Sequence, residues 1–283
     1  MKMDTVSIIL VLFLKTVQVV FGGIHEPEKR SLLNLYTSTN GPDWSIPRDL
    51  IGPISTWYGV RVENNTLMTI TLFRNNLSRK LPNSIVELSN LRVQNLALNS
   101  IQGNISPSIS KLRKLIVITL GKNQLSGSIP KNLGGIGRLV IMDLLYNKLS
   151  AMFPQGMQKL SHLKLLQFSY NELYDHLPVK LGDVKSLEQI DLAHYRFNGP
   201  VAESIGSPSN LKSMILDEND VSGDFPERVI FLPKLKISQL KNNDFVISHL
   251  HEITTRKPQL LKTDFTNQEP SNKGKDYKNG HGP

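Results

Sequence analysis

Several carboxylate and imidazole side chains in the C-terminal half of the sequence could catalyse a reaction. Asp143, Asp191 and Asp217 are the central carboxylates, and His194 and Glu218 follow closely after the last two. Two carboxylates and a histidine that meet in one cleft can act as a general acid and a general base. The same residues could instead line a binding surface. The choice between these roles depends on the fold that positions them.

A second candidate for chemistry is the pair His249 and His251, which could ligate a metal ion. Two ligands at i and i+2 without a third are weak evidence for a metal site. The chain has no cysteine, which excludes disulfides, Cys-ligated zinc, iron–sulfur clusters and a thiol nucleophile. No nucleophile elbow, phosphate-binding loop or zinc motif is present. We therefore expect no catalytic residue, no cofactor and no metal.

The composition is that of a folded, basic protein. The 283 residues include 33 Lys and Arg against 24 Asp and Glu, which gives a net charge of +9. Hydrophobic residues make up 39% of the chain, too many for wholesale disorder. The positive charge is spread along the chain without a dense run of Lys and Arg. We interpret it as a solvated basic surface and expect no nucleic-acid partner.

The first 22 residues have the features of a signal peptide. Lys2 supplies a positive charge, residues 6–14 form an apolar run, and Val20 and Gly22 are small enough for cleavage after Gly22. The apolar run is shorter than the roughly 20 residues that a membrane span needs. We therefore predict a secreted protein or one on the extracellular face of the plasma membrane. The alternative is an uncleaved signal anchor.

An asparagine recurs through the chain with a period of 24 residues. Apolar residues lie three, five and eight positions before it, which gives the unit LxxLxLxxN eight times between Leu67 and Pro258, although the last copy is weaker and has Ser238 at the middle position. Tyr195 occupies the one position where the asparagine is missing. The residues of this predicted structural ladder are Asn75, Asn99, Asn123, Asn147, Asn171, Asn219 and Asn243.

The spacing predicts a stack of short strands. The apolar residues at −5 and −3 lie on one face of a strand, and one such strand cannot bury that face alone. Stacking the turns gives a parallel sheet with a continuous core. The asparagine amide can satisfy backbone groups of its own turn and the next. A second motif, clearest in Leu125–Pro130, predicts a turn. The apolar residues that follow it are spaced three apart, which predicts a short helical turn.

This pattern resembles the plant-type, 24-residue leucine-rich repeat, LxxLxLxxNxLxGxIPxxLxxLxx. The sequence is similar to receptor-like protein ectodomains and polygalacturonase-inhibiting proteins. The resemblance implies an α/β repeat solenoid. In that fold a right-handed, curved superhelix carries a parallel β-sheet on its concave face and short helical turns on its convex face.

The same resemblance divides the chain. Residues 23–66 resemble the N-terminal cap of such proteins, with Trp44, Trp57 and Tyr58 as aromatic anchors and Val62 where many relatives have a cysteine. Eight repeats follow over residues 67–258. Residues 259–283 lose the pattern, and we expect a remnant of a C-terminal cap and a disordered tail.

Family members bind proteins, peptides or glycans on the concave face, so the side chains between the leucines are the candidates. Tyr146, Tyr170 and His194 fall in one column of consecutive repeats, and aromatic residues in mid-groove are typical anchors of an interface. An open, wet groove provides no pocket for catalysis. The predicted ligand-binding residues are Phe73, Arg74, Asp143, Leu145, Tyr146, Gln167, Tyr170, Asp191, His194 and Asp217.

Three roles remain open at this point. The chain could be a secreted inhibitor of a cell-wall-degrading enzyme, or a receptor-like ectodomain that works with a membrane co-receptor, or a structural protein of the wall or matrix. In a secreted protein, Asn64, Asn76 and Asn104 are acceptors for N-linked glycans. We expect modification of at least one of them.

Overall fold

The computed structural model describes residues 24–246 and the strand Thr263–Asp264. The predicted signal peptide, the histidines His249 and His251, and nearly all of residues 259–283 lie outside the described residues. Within them, no helix is long and apolar enough to cross a membrane. The described chain is a stack of 24-residue turns that forms two sheets, which confirms the predicted solenoid.

The eight LxxLxLxxN segments form a ten-stranded sheet on the concave face together with one strand before them and one after them. Its first two strands are antiparallel and the others are parallel, with a register of 24 residues that pairs, for example, Val93 with Val117. The strands are β1 (Val60–Glu63), β2 (Thr66–Thr71), β4 (Val93–Asn95), β6 (Val117–Thr119), β8 (Ile141–Asp143), β10 (Leu165–Gln167), β12 (Gln189–Asp191), β14 (Ser213–Ile215), β16 (Ile237–Gln239) and β18 (Thr263–Asp264).

The segments that follow the asparagines form a second parallel sheet of eight strands, where the sequence predicts only turns. Equivalent segments of successive turns lie side by side, so their extended backbones pair, as Ser78 does with Ser100. The strands are β3 (Ser78–Lys80), β5 (Ser100–Asn104), β7 (Gln124–Gly127), β9 (Lys148–Met152), β11 (Glu172–His176), β13 (Arg196–Pro200), β15 (Asp220–Asp224) and β17 (Asp244–Val246).

Short helical turns close each repeat on the convex side. Each turns at least one apolar residue, such as Ile109 or Leu181, into the core. Six are 3-10 turns and the last is the α-helix α2. Their bounds are Asn83–Glu87, Pro107–Lys111, Leu133–Gly135, Gln155–Lys159, Val179–Asp183, Glu203–Gly206 and Glu227–Ile230 (α2).

The N-terminal cap begins with helix α1 (Glu26–Ser38), which buries Leu32 and Leu35, and continues through two 3-10 turns, Gly41–Asp43 and Ile54–Thr56. Both tryptophans are buried as anchors. Tyr58, which the sequence predicts as a third anchor, lies in the turn after Trp57 and is 43% exposed. The third aromatic ring packed against the core is instead Tyr36, whose centroid lies 5.3 Å from that of Trp44.

A buried arginine lies between the two cap tryptophans. The Arg48 guanidinium is 4.6 Å from the Trp44 ring and 5.2 Å from the Trp57 ring. None of its nitrogens has a hydrogen-bond partner among the described residues. Burial lowers the pKa of Arg48 from 12.5 to about 10. Cation–π contact with two rings stabilises the charge in place of hydrogen bonds.

The core and the concave sheet both run the length of the stack. One apolar cluster extends from Ile24 to Phe245. At the C-terminal end, β18 pairs with β16, so the sheet continues one strand beyond Pro258. Pairing of backbones does not require the leucines that are missing there. Two polar residues interrupt the core at position −5: Gln94 and Ser238 are buried, and their side-chain polar atoms lack partners among the described residues.

Candidate ligand-binding face

The asparagine ladder fixes the shape of the concave face. The Asn147 amide nitrogen lies 3.1 Å from the Leu120 carbonyl of the previous turn and 3.0 Å from the Leu144 carbonyl of its own. Its Oδ1 accepts a hydrogen bond from the Leu125 amide at 3.0 Å. Asn123 and Asn219 repeat the same connections. Each asparagine thus holds two adjacent turns together at the point where the strand ends.

The ladder changes at two places. At the first turn, the Oδ1 of Asn75 accepts from the Ile46 amide of the cap, and its Nδ2 has no partner among the described residues. At Tyr195 the side chain is larger, and its hydroxyl donates to the Phe168 carbonyl. That carbonyl lies 27 residues earlier in the chain, the same separation as from Asn147 to Leu120. A tyrosine therefore keeps the hydrogen bond between turns at this position.

The residue before each ladder position has a left-handed backbone. Its φ lies between 49° and 59° in all eight turns, although none of these residues is glycine. This conformation ends the strand and brings the side chain onto the same rim of the groove in every turn. The column consists of Arg74, Leu98, Lys122, Tyr146, Tyr170, His194, Glu218 and Asn242.

Three rings of this column stack on one another. The centroids of Tyr146 and Tyr170 are 4.1 Å apart, and those of Tyr170 and His194 are 4.0 Å apart. The two tyrosines are 44% and 40% exposed. The Lys122 ammonium lies 5.4 Å from the Tyr146 centroid at one end of the stack, and Glu218 follows His194 at the other. We call Tyr146, Tyr170 and His194 the ring stack.

The predicted carboxylates lie beside the ring stack, each on a separate turn and each bonded to the backbone. Asp143 accepts from the Leu145 amide at 3.1 Å, and burial raises the pKa of Asp143 from 3.8 to about 6. Burial also raises the pKa of Asp191, which accepts from the Ser169 hydroxyl. Asp217 accepts from the Lys241 amide at 2.8 Å. Through these hydrogen bonds the three carboxylates hold neighbouring groups of the concave surface in place.

Glycine at position 121 makes room for one of these carboxylates. A Cβ at Gly121 would lie 2.6 Å from Oδ1 of Asp143. The Asp143 carboxylate therefore lies over the backbone of the preceding turn, where water reaches it poorly. This placement explains why its pKa is raised although the groove is open.

The other predicted residues fall into two places. Leu145 and Gln167 are half-buried on the turns of the ring stack. Phe73, 45% exposed, and Arg74 lie three repeats nearer the N-terminus, about 14 Å away at a strand spacing of about 4.8 Å. The structure thus brings eight of the ten predicted residues into one region and separates two.

Sequence reasoning missed an apolar stripe on the same face. The residues at position −6 of four successive turns are 1–6% exposed because they cover one another. They form an apolar cluster separate from the main core. The signal was present in the sequence, since a branched apolar residue stands at this position in each of these turns: Val93, Val117, Ile141 and Leu165.

The three predicted glycan acceptors differ in their surroundings. Asn64 lies in the exposed turn between β1 and β2, with φ of 47°. The Asn76 amide donates to the Asp43 carbonyl at 2.8 Å. Asn104 is exposed at the end of β5 and lies over Gly127. Of the three, Asn64 is thus the one in an exposed turn with neither a side-chain hydrogen bond nor a packing contact of this kind among the described residues.

The fold is similar to solved leucine-rich repeat structures. Neither a protein-family model nor a curated protein matches the sequence. The crystal structure of PEPR1–AtPEP1 is 26% identical, with a TM-score of 0.72 over 78% of this chain and 32% of that chain. The Arabidopsis receptor kinase HAESA, in complex with the peptide hormone IDA and the co-receptor SERK1, is 26% identical, with a TM-score of 0.59 over 60% and 29%.

A plant ice-binding protein shares the fold at 19% identity, with a TM-score of 0.65 over 79% of this chain and 81% of that chain. The chain spans about a third of the length of the receptor chains that it matches. The 24-residue repeat, the stacked turns with their concave sheet, and these likenesses show a leucine-rich repeat solenoid similar to the ectodomains of plant receptors.

Proposed function

We propose that this protein is a non-catalytic binder that holds an extended peptide, or an extended segment of a protein, on its concave face. The observation that carries the proposal is the exposed ring stack in the middle of that face. Exposed tyrosines offer large contact areas with few rotatable bonds, which is why they anchor interfaces. Solved neighbours in complex with peptide hormones support the same class of ligand.

The chemistry around the ring stack favours a peptide over a glycan. Sugars bind to exposed faces of aromatic rings, but the faces of Tyr170 are covered by Tyr146 and His194. The exposed parts of Tyr170 are its ring edge and hydroxyl group, which suit backbone amides and carbonyls. Lys122 and Glu218 at the two ends would set the direction of a ligand that carries opposite charges at its ends.

The test is selection of binders from a random peptide library on the purified full-length protein. Selected peptides are then measured by calorimetry against Tyr170→Ala with His194→Ala. The matched control is Tyr174→Ala with His176→Ala, which removes one tyrosine and one histidine from β11 of the second sheet. We expect the first variant to bind at least about tenfold more weakly and the control to bind normally.

Equal binding by all three proteins would refute the assignment of the site. Selection of no peptide, together with inhibition of a pectin-degrading enzyme by the purified protein, would favour the inhibitor role. In that case a protein partner would replace the peptide, and the same variants would locate its contacts.

We further propose that the protein is secreted or lies on the extracellular face of the plasma membrane. The apolar segment before Gly22 supports this location. The test is expression in a eukaryotic secretory host with a C-terminal tag, followed by detection in medium and membrane fractions. A soluble band in the medium would support secretion. A membrane-bound band would support an anchored, receptor-like protein that needs a co-receptor, and a cytosolic band would refute both.

A further inference from the structure

The net positive charge of the protein belongs to the middle of the solenoid. Residues 88–171 contain ten Lys and Arg and one acidic residue, a net charge of 10 − 1 = +9. The rest of the chain has 23 basic and 23 acidic residues. The charge is therefore concentrated in about four turns, although no short run in the sequence displays it. The one acidic residue, Asp143, lies half-buried on the concave face.

A hollow on the convex face lies within this basic region. Its volume is about 430 Å³, and three turns contribute to its wall. It exists because position 135 is glycine, whereas the equivalent residues of the adjacent turns are Lys111 and Lys159. The floor is backbone at Gly134 and Gly156, where a Cβ would lie 2.2 Å and 2.9 Å from carbonyl oxygens of neighbouring turns. Close packing of the turns thus keeps the floor free of side chains.

Three cations surround the hollow. Arg113, Lys131 and Lys159 come from three successive turns, and all three are exposed. Within the described part of the chain none of them forms an ion pair. By contrast, Lys164 and Lys212 are both paired with Glu188. Charges of one sign around a concavity raise the local concentration of counter-ions.

We propose that this hollow binds the sulfate groups of an acidic polysaccharide. Three cations match a tetrahedral oxyanion ester, which offers three acceptor oxygens, better than a carboxylate, which offers two. The walls carry no large apolar side chain, and the donors of Ser110 and Asn132 are used in hydrogen bonds to the Pro107 carbonyl and to each other, so the three cations are the groups that would bind the anion. A polymer is favoured over a single small anion because the basic surface extends over about four turns, and repeated charges would engage it together.

The test measures binding of a heparin dodecasaccharide, used as the sulfated probe, to the full-length protein by calorimetry. The cavity variant is Arg113→Gln with Lys131→Gln and Lys159→Gln. The control variant is Arg79→Gln with Lys80→Gln and Lys148→Gln, which removes the same charges from exposed positions on the second sheet. We expect the cavity variant to lose about tenfold or more in affinity and the control to stay within about threefold of wild type.

Equal losses in both variants would show that only overall charge matters and would overturn the site. Polygalacturonate of similar length, which carries carboxylates alone, is expected to bind at least about tenfold more weakly, and equal binding would overturn the preference for sulfate. Stronger binding to vesicles containing phosphatidic acid would move the assignment to a lipid surface.

A second variant, Gly135→Glu, places a carboxylate in the hollow and should likewise weaken binding by about tenfold or more. All variants should unfold at the wild-type urea midpoint, which shows that the fold is retained. The proposal concerns the convex face and is independent of the peptide proposed for the concave face.

Discussion

Asn147 illustrates how much one polar residue contributes inside the stack. Its amide nitrogen donates to backbone carbonyls of two turns, and its amide oxygen accepts from the Leu125 amide in strand β7. Replacing it by alanine leaves the buried Leu125 amide without its partner, at about 1–3 kcal/mol, and removes one of the two asparagine hydrogen bonds that each carbonyl accepts, at about 1 kcal/mol each. We therefore expect Asn147→Ala to lower the free energy of unfolding by about 3 kcal/mol or more, measured by urea denaturation.

The control for this prediction is Asn75→Ala. Asn75 accepts one hydrogen bond from the cap, and its amide nitrogen has no partner among the described residues. The expected loss is about 1 kcal/mol. Equal losses at the two positions would mean that the hydrogen bonds of the ladder are not the source of its stability.

Asp143 should make stability depend on pH in an unusual direction. Its pKa is about 6 in the folded protein and near 3.8 in the unfolded chain. The folded state therefore binds the proton more tightly, and this contribution to stability declines as the pH rises from about 4 to about 6. At pH 7 the buried carboxylate costs about 1–2 kcal/mol after allowance for its partial exposure.

Asp143→Asn removes that cost while its oxygen still accepts from Leu145. We expect the variant to be more stable than wild type at pH 7 and similar to it at pH 4. The measurement is the difference in urea midpoint between the two proteins at each pH. A difference that is constant with pH would contradict the assigned pKa.

The second sheet contains, at one equivalent position of successive turns, residues whose φ is positive. Gly103, Gly127, Gly199 and Gly223 hold this position in four turns with φ of 69–79°, whereas Ala151 holds it with φ of 90°. A side chain in this region is strained by about 1 kcal/mol relative to glycine. We expect Ala151→Gly to raise the free energy of unfolding by about 1 kcal/mol, measured by urea denaturation.

Gly223→Ala is the reverse experiment. The nearest atom to a Cβ at Gly223 is 3.7 Å away, an ordinary contact, so the substitution changes backbone conformation without a clash. We expect a loss of about 1 kcal/mol. If Gly223→Ala were neutral, the column would not be under the conformational constraint that its φ values indicate.

The elements also show what sequence could predict. The period of two within LxxLxLxxN predicts the concave strands, because burial of alternate residues requires an extended backbone. The second sheet was missed because its strands contain Gly and Pro, and they form only through pairing with equivalent segments of neighbouring turns. The order of Tyr146, Tyr170 and His194 was predictable from their spacing. Their stacking was not, since it depends on a left-handed backbone conformation at non-glycine residues.

For the whole molecule, the stack behaves as a linear array in which each turn contacts only its neighbours. A turn with a poorly packed core residue therefore lowers the stability of the turns on both sides of it. Gln94 is such a point, because it is buried at a core position where Met142 and Met214 stand in other turns, and its amide lacks partners among the described residues. We expect Gln94→Met, nearly equal in shape, to stabilise the protein by about 1–2 kcal/mol.

The measurement is amide hydrogen exchange across β2, β4 and β6, which should slow together in Gln94→Met because adjacent turns share the interface. The inverse variant, Met142→Gln, should accelerate exchange around β8 by a similar or larger factor. Unchanged exchange in both variants would show that these positions do not limit the stability of the array.

The asparagine ladder has a further consequence for how such a protein can change over generations. Apart from Asn75, the ladder asparagines connect equivalent positions, so the bond from Asn147 to Leu120 has the same separation as the bond from Asn219 to Leu192. Duplicating or deleting one complete 24-residue unit leaves each remaining asparagine with an equivalent partner, whereas adding a single residue changes the 27-residue separation of the bond that spans it. The gene can therefore lengthen or shorten the groove only in whole steps, each worth about 4.8 Å of reach. The length of ligand that the groove can hold is then set by the number of repeats that the gene encodes.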